Sequence, residues 1–374
     1  MKTDDDRVLV PQPGILDIAP YVGGKSKIDG VAETIKLSSN ENPFGPSGAA
    51  REAFESVARA LHRYPSADHS QLRETIGQVF NLDPERIICG AGSDEIFTLT
   101  CQAYSGVGDE VIVTEHGFSM HKICALAAGA TPVTASEIDR RISIDHVLDC
   151  VTDKTRIIFL ANPGNPAGTF VDIAELEDLI RELPSNVAIV LDGAYAEYAD
   201  FMLRDQGGYD GGAALVDAFP NVIMTRTFSK VFGLGAARIG WGYAQPDVID
   251  ILNRVRGPFN VNAAALAAAA AALKQTEHTE ACLTANLRLM RGLHQFLAGL
   301  GLGVDESYGN FLLVRFEDEA EADAAYQHLM SDGIITRQVK GYGFPEALRI
   351  TIGTPAECSA VVESMTRFMK AEEE

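Results

Sequence analysis

A single lysine, Lys230, stands in the run TFSKVFGLGAARIGW (Thr227–Trp241), with two hydroxyl residues before it and Arg238 eight residues on. Small and apolar residues fill the interval. Desolvation and a nearby cation both disfavour a charged ammonium, so this amine is easier to deprotonate than one in water. Once neutral, it can attack an aldehyde and form a Schiff base. Thr227, Ser229 and Arg238 can hold a phosphate through hydroxyls and a guanidinium fork. Pyridoxal 5'-phosphate (PLP) carries both an aldehyde and a phosphate. An ordinary surface lysine beside a Gly-rich loop would show the same spacing, so the assignment rests on three further segments.

In IVLDGAYAEY (Ile189–Tyr198) four apolar residues run into Asp192. This reads as a buried parallel strand with a carboxylate at its C-terminal end, the edge where open α/β sheets bind ligands. Such a carboxylate can keep a pyridine nitrogen protonated and make the ring an electron sink. Tyr195 can donate to the ring's phenolic oxygen. A helix cap would also place an aspartate there. In FLANPGNPAG (Phe159–Gly168), Pro163 and Pro166 stiffen a turn and can hold Asn165 in a fixed orientation towards the same oxygen. In ICGAGSDEIF (Ile88–Phe97) an apolar strand enters a Gly-x-Gly turn and a helix opens at Ser93. The N–H groups of Ala91, Gly92 and Ser93 are expected to face an anion at that helix start. Glu95 stands where a dinucleotide fingerprint needs its third glycine, so the turn reads as a monophosphate cup.

In chain order these segments form a phosphate cup, an Asn loop, an Asp-x-x-Tyr strand and a Ser-x-Lys with a trailing Arg. That order resembles the fold-type I PLP-dependent aminotransferases (class I/II) over nearly the whole chain. Within them the chain is similar to the histidinol-phosphate aminotransferases, through KLSSNENPFGPS (Lys36–Ser47), HRYPSAD (His62–Asp68) and ALRITIGT (Ala347–Thr354). The resemblance implies that Lys230 carries PLP and shuttles the proton, that Asp192 sustains the electron sink, and that Asn165 and Tyr195 tune the phenolic oxygen. Phe118 would stack on the pyridine ring. Arg349 and Arg337 would bind substrate anions, and Tyr21, Asn42 and Tyr64 would contact substrate or cofactor phosphate. Tyr64 would do so across a homodimer interface. The implied reaction pairs L-histidinol phosphate with 2-oxoglutarate, giving imidazole-acetol phosphate and glutamate. The loop KGYGFPEALRITIGT resembles that of broad-specificity members, so an aromatic amino acid or prephenate (cyclohexadienyl) aminotransferase is the alternative.

The acidic balance sets the remaining bounds. Lys plus Arg number 31 against 52 Asp plus Glu, a net charge of −21. This disfavours nucleic acid and anionic membrane surfaces as partners. The six cysteines form no C-x-x-C pair, and scattered thiols suit a reducing compartment, the cytoplasm. No Cys/His cluster has metal-ligand spacing. His116 and His121, on either side of Phe118, read as ordinary polar groups of a loop. The acidic start MKTDDDRV lacks an apolar run, so no secretory leader is expected.

The elements that must position these residues follow from periodicity. Short β-branched runs (RIICGAG, DEVIVTE, RIIFLAN, VAIVLDG, NVIMTRT) alternate with helical patterns. This predicts an α/β fold with a mostly parallel sheet covered on both faces, and the resemblance implies seven strands. Residues 1–46 read as an N-terminal arm and part of a small domain, 47–255 as the large PLP-binding domain, and 256–374 as a linking helix and a small α+β domain. The Ala-rich run Ala263–Leu273 suits a close helix–helix contact. The active site is expected in the crevice between the domains.

Overall fold

The computed structural model describes residues 9–21, 23–30 and 33–372. The β-branched runs become β1 (Ile87–Gly90), β2 (Glu110–Thr114), β4 (Thr155–Ala161), β5 (Ala188–Asp192) and β6 (Val222–Thr227), joined by β3 (Thr131–Ala135) and β7 (Gly240–Tyr243). The seven strands make one sheet in the order β1-β7-β6-β5-β4-β2-β3. Only β7 runs antiparallel to its neighbours. Every residue of β6 is buried, because helices cover both faces and leave no solvated side.

The strand β7 (GWGY) carries two glycines, which weaken the sequence signal for a strand. The glycine has a packing reason. A Cβ on Gly240 would lie 2.4 Å from the Ser93 nitrogen, so the phosphate-cup turn can rest directly on this strand.

A second, four-stranded antiparallel sheet follows: β8 (Gly303–Val304), β9 (Phe311–Arg315), β10 (Arg337–Val339) and β11 (Phe344–Thr351), in the order β8-β9-β11-β10. The helix Glu319–Ser331 lies on it. Ile35–Lys36 pairs in parallel with Ile334–Ile335, which ties the N-terminal segment to this smaller unit.

The Ala-rich helix Ala263–Leu273 packs against the helices Gly48–Ser56 and Ser70–Phe80 beside the large sheet. Alanine's short side chain allows that close approach. After a break at Lys274–Gln275, the helix Thr276–Gly299 runs between two hydrophobic cores. Cys282 and Leu283 belong to the core of the large sheet, whereas Met290, Leu293 and Leu297 belong to that of the small one. Twenty-four residues at about 1.5 Å each make a strut of about 36 Å. Among the described residues no helix is long and apolar enough to cross a membrane.

Candidate active site

The C-terminal ends of the parallel strands and the near end of the small sheet enclose a cavity of about 420 Å³. From the large sheet come Ser93, Phe118, Asn165, Asp192, Tyr195 and the segment around Lys230; from the small sheet come Arg337, Tyr342 and Arg349. Tyr21, Gly23, Gly24 and residues 38–40 close a third side.

Lys230 follows β6 and faces the cavity, so it keeps some exposure although protein surrounds it. Burial lowers its pKa to about 8, and the cation Arg349 adds to the shift. Its Nζ donates to the Ser39 carbonyl at 3.3 Å. Ahead of it, Thr227 and Ser229 join hydroxyls at 3.0 Å. Arg238, held in a left-handed backbone conformation (φ 54°), aims Nη1 at Ser229 Oγ (3.3 Å) and Nη2 at Asp94 Oδ2 (3.1 Å). A Cβ on Gly92 would come within 2.5 Å of Arg238 Nη2, so the glycine is what lets the guanidinium into the cup.

Asp192 is buried at the end of β5. Its Oδ1 accepts from the Ala194 N–H at 3.2 Å, a turn contact ahead of the helix Ala196–Leu203, whose N-cap is Tyr195 and not Asp192. Its Oδ2 lies 3.4 Å from His121 Nε2, within charge-pairing distance but without hydrogen-bond alignment. His121 corrects the sequence reading: it is no loop residue but sits buried on the helix Ser119–Ala127. Its ring stacks on Phe159 (4.7 Å, 8°). His116 does lie in the turn after β2, where its Nδ1 meets the Tyr342 carbonyl at 2.6 Å and its ring packs on Phe344.

Arg349 is only 6% exposed. Its Nη1 donates to Asn165 Oδ1 (2.5 Å) and its Nη2 to the Ser38 carbonyl (3.0 Å), while Nε has no partner. Because Arg349 takes the oxygen of the Asn165 amide, the NH₂ end is left to donate. Arg337 stands opposite Arg349 in the β10–β11 register. Two guanidiniums on neighbouring strands at one cavity wall are suited to a dianion. Tyr21 and Tyr342 complete this end, and burial followed by Tyr342 raises the Tyr21 pKa.

The family model "Aminotransferase class I and II" matches residues 32–365. The chain belongs to this family. It is 55% identical to a histidinol-phosphate aminotransferase of Roseobacter denitrificans (96% of this chain, 98% of that one) and 54% identical to one of Ruegeria pomeroyi (97% and 99%). Its fold is that of the Sinorhizobium meliloti histidinol-phosphate aminotransferase solved with pyridoxal-5'-phosphate, with a TM-score of 0.87 at 24% identity, covering 96% of this chain and 97% of that chain. As a member of this family the protein is a PLP-dependent aminotransferase.

The aminotransferase cavity gathers most of the expected residues: Lys230, Asp192, Tyr195, Asn165, Thr227, Ser229, Arg238, Ser93 and Phe118, together with Tyr21, Arg337 and Arg349. Four expected residues are not among its lining. The Ala91 N–H is taken by Glu95 Oε2 (2.6 Å), and the Gly92 N–H by the Gly90 carbonyl (2.8 Å). Glu95 folds back over the Ala91 N–H much as a capping-box glutamate does, and the turn itself closes the Gly92 N–H on Gly90. Asn42 turns away, with Nδ2 on the Val231 carbonyl at 2.7 Å. Tyr64 is 82% exposed and stacks on Phe259 (4.6 Å, 18°), away from this cavity.

The aminotransferase site also holds residues that the motifs did not single out. Asn40, two positions before Asn42, donates to the Tyr195 hydroxyl at 2.7 Å. Asp94 faces Arg238 across the cup, and burial raises its pKa against the pull of that arginine. Asp94 was legible as the residue after Ser93; Asn40 had no local signal, since its partners lie far along the chain.

Proposed function

We propose that this aminotransferase moves an amino group between L-histidinol phosphate and 2-oxoglutarate, yielding imidazole-acetol phosphate and L-glutamate, in histidine biosynthesis. The observation that carries the substrate is the 55% identity over nearly the full length to an enzyme named for it. The facing Arg337 and Arg349 supply what a phosphate, or the two carboxylates of glutamate, needs. Purified enzyme should form glutamate from 2-oxoglutarate in the presence of histidinol phosphate. No glutamate with this donor would reject the substrate.

The residues present fit PLP. Ser229, Thr227, Arg238 and the backbone at Ser93 would hold its phosphate, in the space that Gly92 leaves open. Asp192 would face its pyridine nitrogen, Phe118 its ring, and Asn165 and Tyr195 its phenolic oxygen. Bound there, PLP supplies the electrophile and the electron sink. Lys230 holds and moves the proton at Nζ, since a pKa of about 8 lets it switch between donor and base near neutral pH. Arg349, held by Asn165 and Ser38, orients the substrate's anion.

Tyr21 and Tyr342 beside the arginines favour a second reading, in which aromatic amino acids or prephenate also serve. The enzyme works as a homodimer in which Tyr64 reaches the partner subunit's site. This is supported by the exposure of Tyr64, which stacks on the also exposed Phe259, and of Leu61, three residues before it in the chain. Mixing Tyr64→Phe with Lys230→Ala protein should then restore activity, because one site of each hybrid keeps both native residues. A fully active monomer would end the dimer reading. A reducing cytoplasm suits six unpaired cysteines.

A further inference from the structure

Three consecutive residues meet three functional side chains. The Ser38 carbonyl accepts from Arg349 (3.0 Å), the Ser39 carbonyl from Lys230 (3.3 Å), and Asn40 Nδ2 donates to the Tyr195 hydroxyl (2.7 Å). Asn40 is buried in a left-handed conformation (φ 55°), which asparagine tolerates better than most residues. Its amide orientation is fixed by proton counting. Thr351 Oγ1 accepts the Asn40 backbone N–H (2.9 Å), so its own proton goes to Asn40 Oδ1 (3.1 Å). Nδ2 is therefore the end that faces Tyr195. Asn310 Nδ2 holds the Asn40 carbonyl at 3.0 Å, so both ends of the residue are anchored to the small sheet.

A hydroxyl that accepts from Asn40 must send its single proton elsewhere. We propose that Asn40 is a positioning residue: by occupying the acceptor side of the Tyr195 hydroxyl, it aims that proton into the cavity, at the cofactor's phenolic oxygen. The role rests on the PLP reading given above. The groups bearing on this phenol are Arg349 and Asp192, with the Lys230 ammonium 5.7 Å from the ring and Tyr198 and Phe311 packed nearby. Burial pushes the phenol up to about 12, so it remains a donor at working pH.

A donor to the phenolic oxygen stabilises the cofactor most when that oxygen bears its full negative charge, in the form that has lost the shared proton. Losing the donor therefore raises the pH at which the bound chromophore changes colour. Holoenzyme of wild type, Asn40→Ala, Tyr195→Phe and the double variant is titrated by visible absorbance. Tyr195→Phe should move the midpoint up by about 1 pH unit and Asn40→Ala by about 0.5. The double variant should match Tyr195→Phe alone, because Asn40 acts through Tyr195. Thr351→Val, which frees the Asn40 amide to turn, should give a smaller shift in the same direction. It decides the matter if Asn40→Ala does not fold. An unchanged midpoint in Asn40→Ala (or in Thr351→Val where it must substitute), or full additivity with Tyr195→Phe, would overturn the role. A wild type without any visible band would instead remove the PLP reading itself.

Discussion

The two walls of the cavity are built by different means. The wall holding Lys230, Asp192, Ser229 and Arg238 comes from the ends of adjacent strands β5, β6 and β7 and their short connections. The wall holding Arg337, Tyr342, Arg349, Tyr21 and Asn40 is assembled from the small sheet and an N-terminal segment about 300 residues away in sequence. The first is preset by local chain geometry. The second exists only when both units and the N-terminal segment pack together. On the proposed function, the chemistry common to a large family falls to the local wall, and the choice of substrate to the composite one.

Substitutions should separate the walls. Lys230→Ala should have the largest effect, removing turnover on every substrate by on the order of 10⁴-fold or more. Borohydride reduction followed by peptide mapping should place the cofactor on Lys230 in the native enzyme. A label on another lysine would break the assignment. Asp192→Asn should retain PLP but lower single-turnover rates by roughly 10²–10⁴-fold for all donors alike, because an amide cannot hold a pyridinium proton. Near-normal rates would leave Asp192 only its contact with the Ala194 N–H.

On the composite wall, losses should depend on the substrate. Arg349→Ala should cost about 30- to 1,000-fold in kcat/KM wherever an anion occupies its position. Arg337→Ala should fall in the same range for histidinol phosphate and glutamate, with a much smaller loss for phenylalanine. Equal losses on the three would make Arg337 a structural residue and erase the contrast between the walls.

These walls also differ in how legible they were. The apolar run into Asp192 and the Ser-x-Lys with Arg238 follow from short-range patterns, and the structure keeps them together. Tyr195 and Asn165 also join the cavity, although Arg349 as the partner of Asn165 Oδ1 lies 184 residues on. His121 reads as a loop group in the sequence because a histidine with no spacing partner gives no other signal. Its site is made by Phe159 on β4 and Asp192 on β5. Asn40 was displaced by Asn42 in the same motif, since nothing local says which asparagine turns inward. The Ala91 and Gly92 donors have local competitors instead: Glu95, in the third position of its helix and readable as a capping side chain, takes the Ala91 N–H, and the Gly90 carbonyl takes that of Gly92.

A smaller effect concerns pH. With Lys230 lowered to about 8, its neutral fraction rises as pH climbs through that value. Covalent capture of added PLP by cofactor-free protein, followed by absorbance, should therefore accelerate roughly tenfold from pH 7 to well above 8 and then level off. A rate still climbing towards pH 10 would mean that the wall does not depress the lysine.

The most direct test is the first half-reaction. PLP enzyme is mixed separately with L-histidinol phosphate, glutamate, phenylalanine and tyrosine, and the loss of the cofactor's visible band is timed. Histidinol phosphate and glutamate should discharge it fastest, with the aromatic amino acids at least about tenfold slower in rate over half-saturating concentration. Phenylalanine or tyrosine outpacing histidinol phosphate would contradict the account.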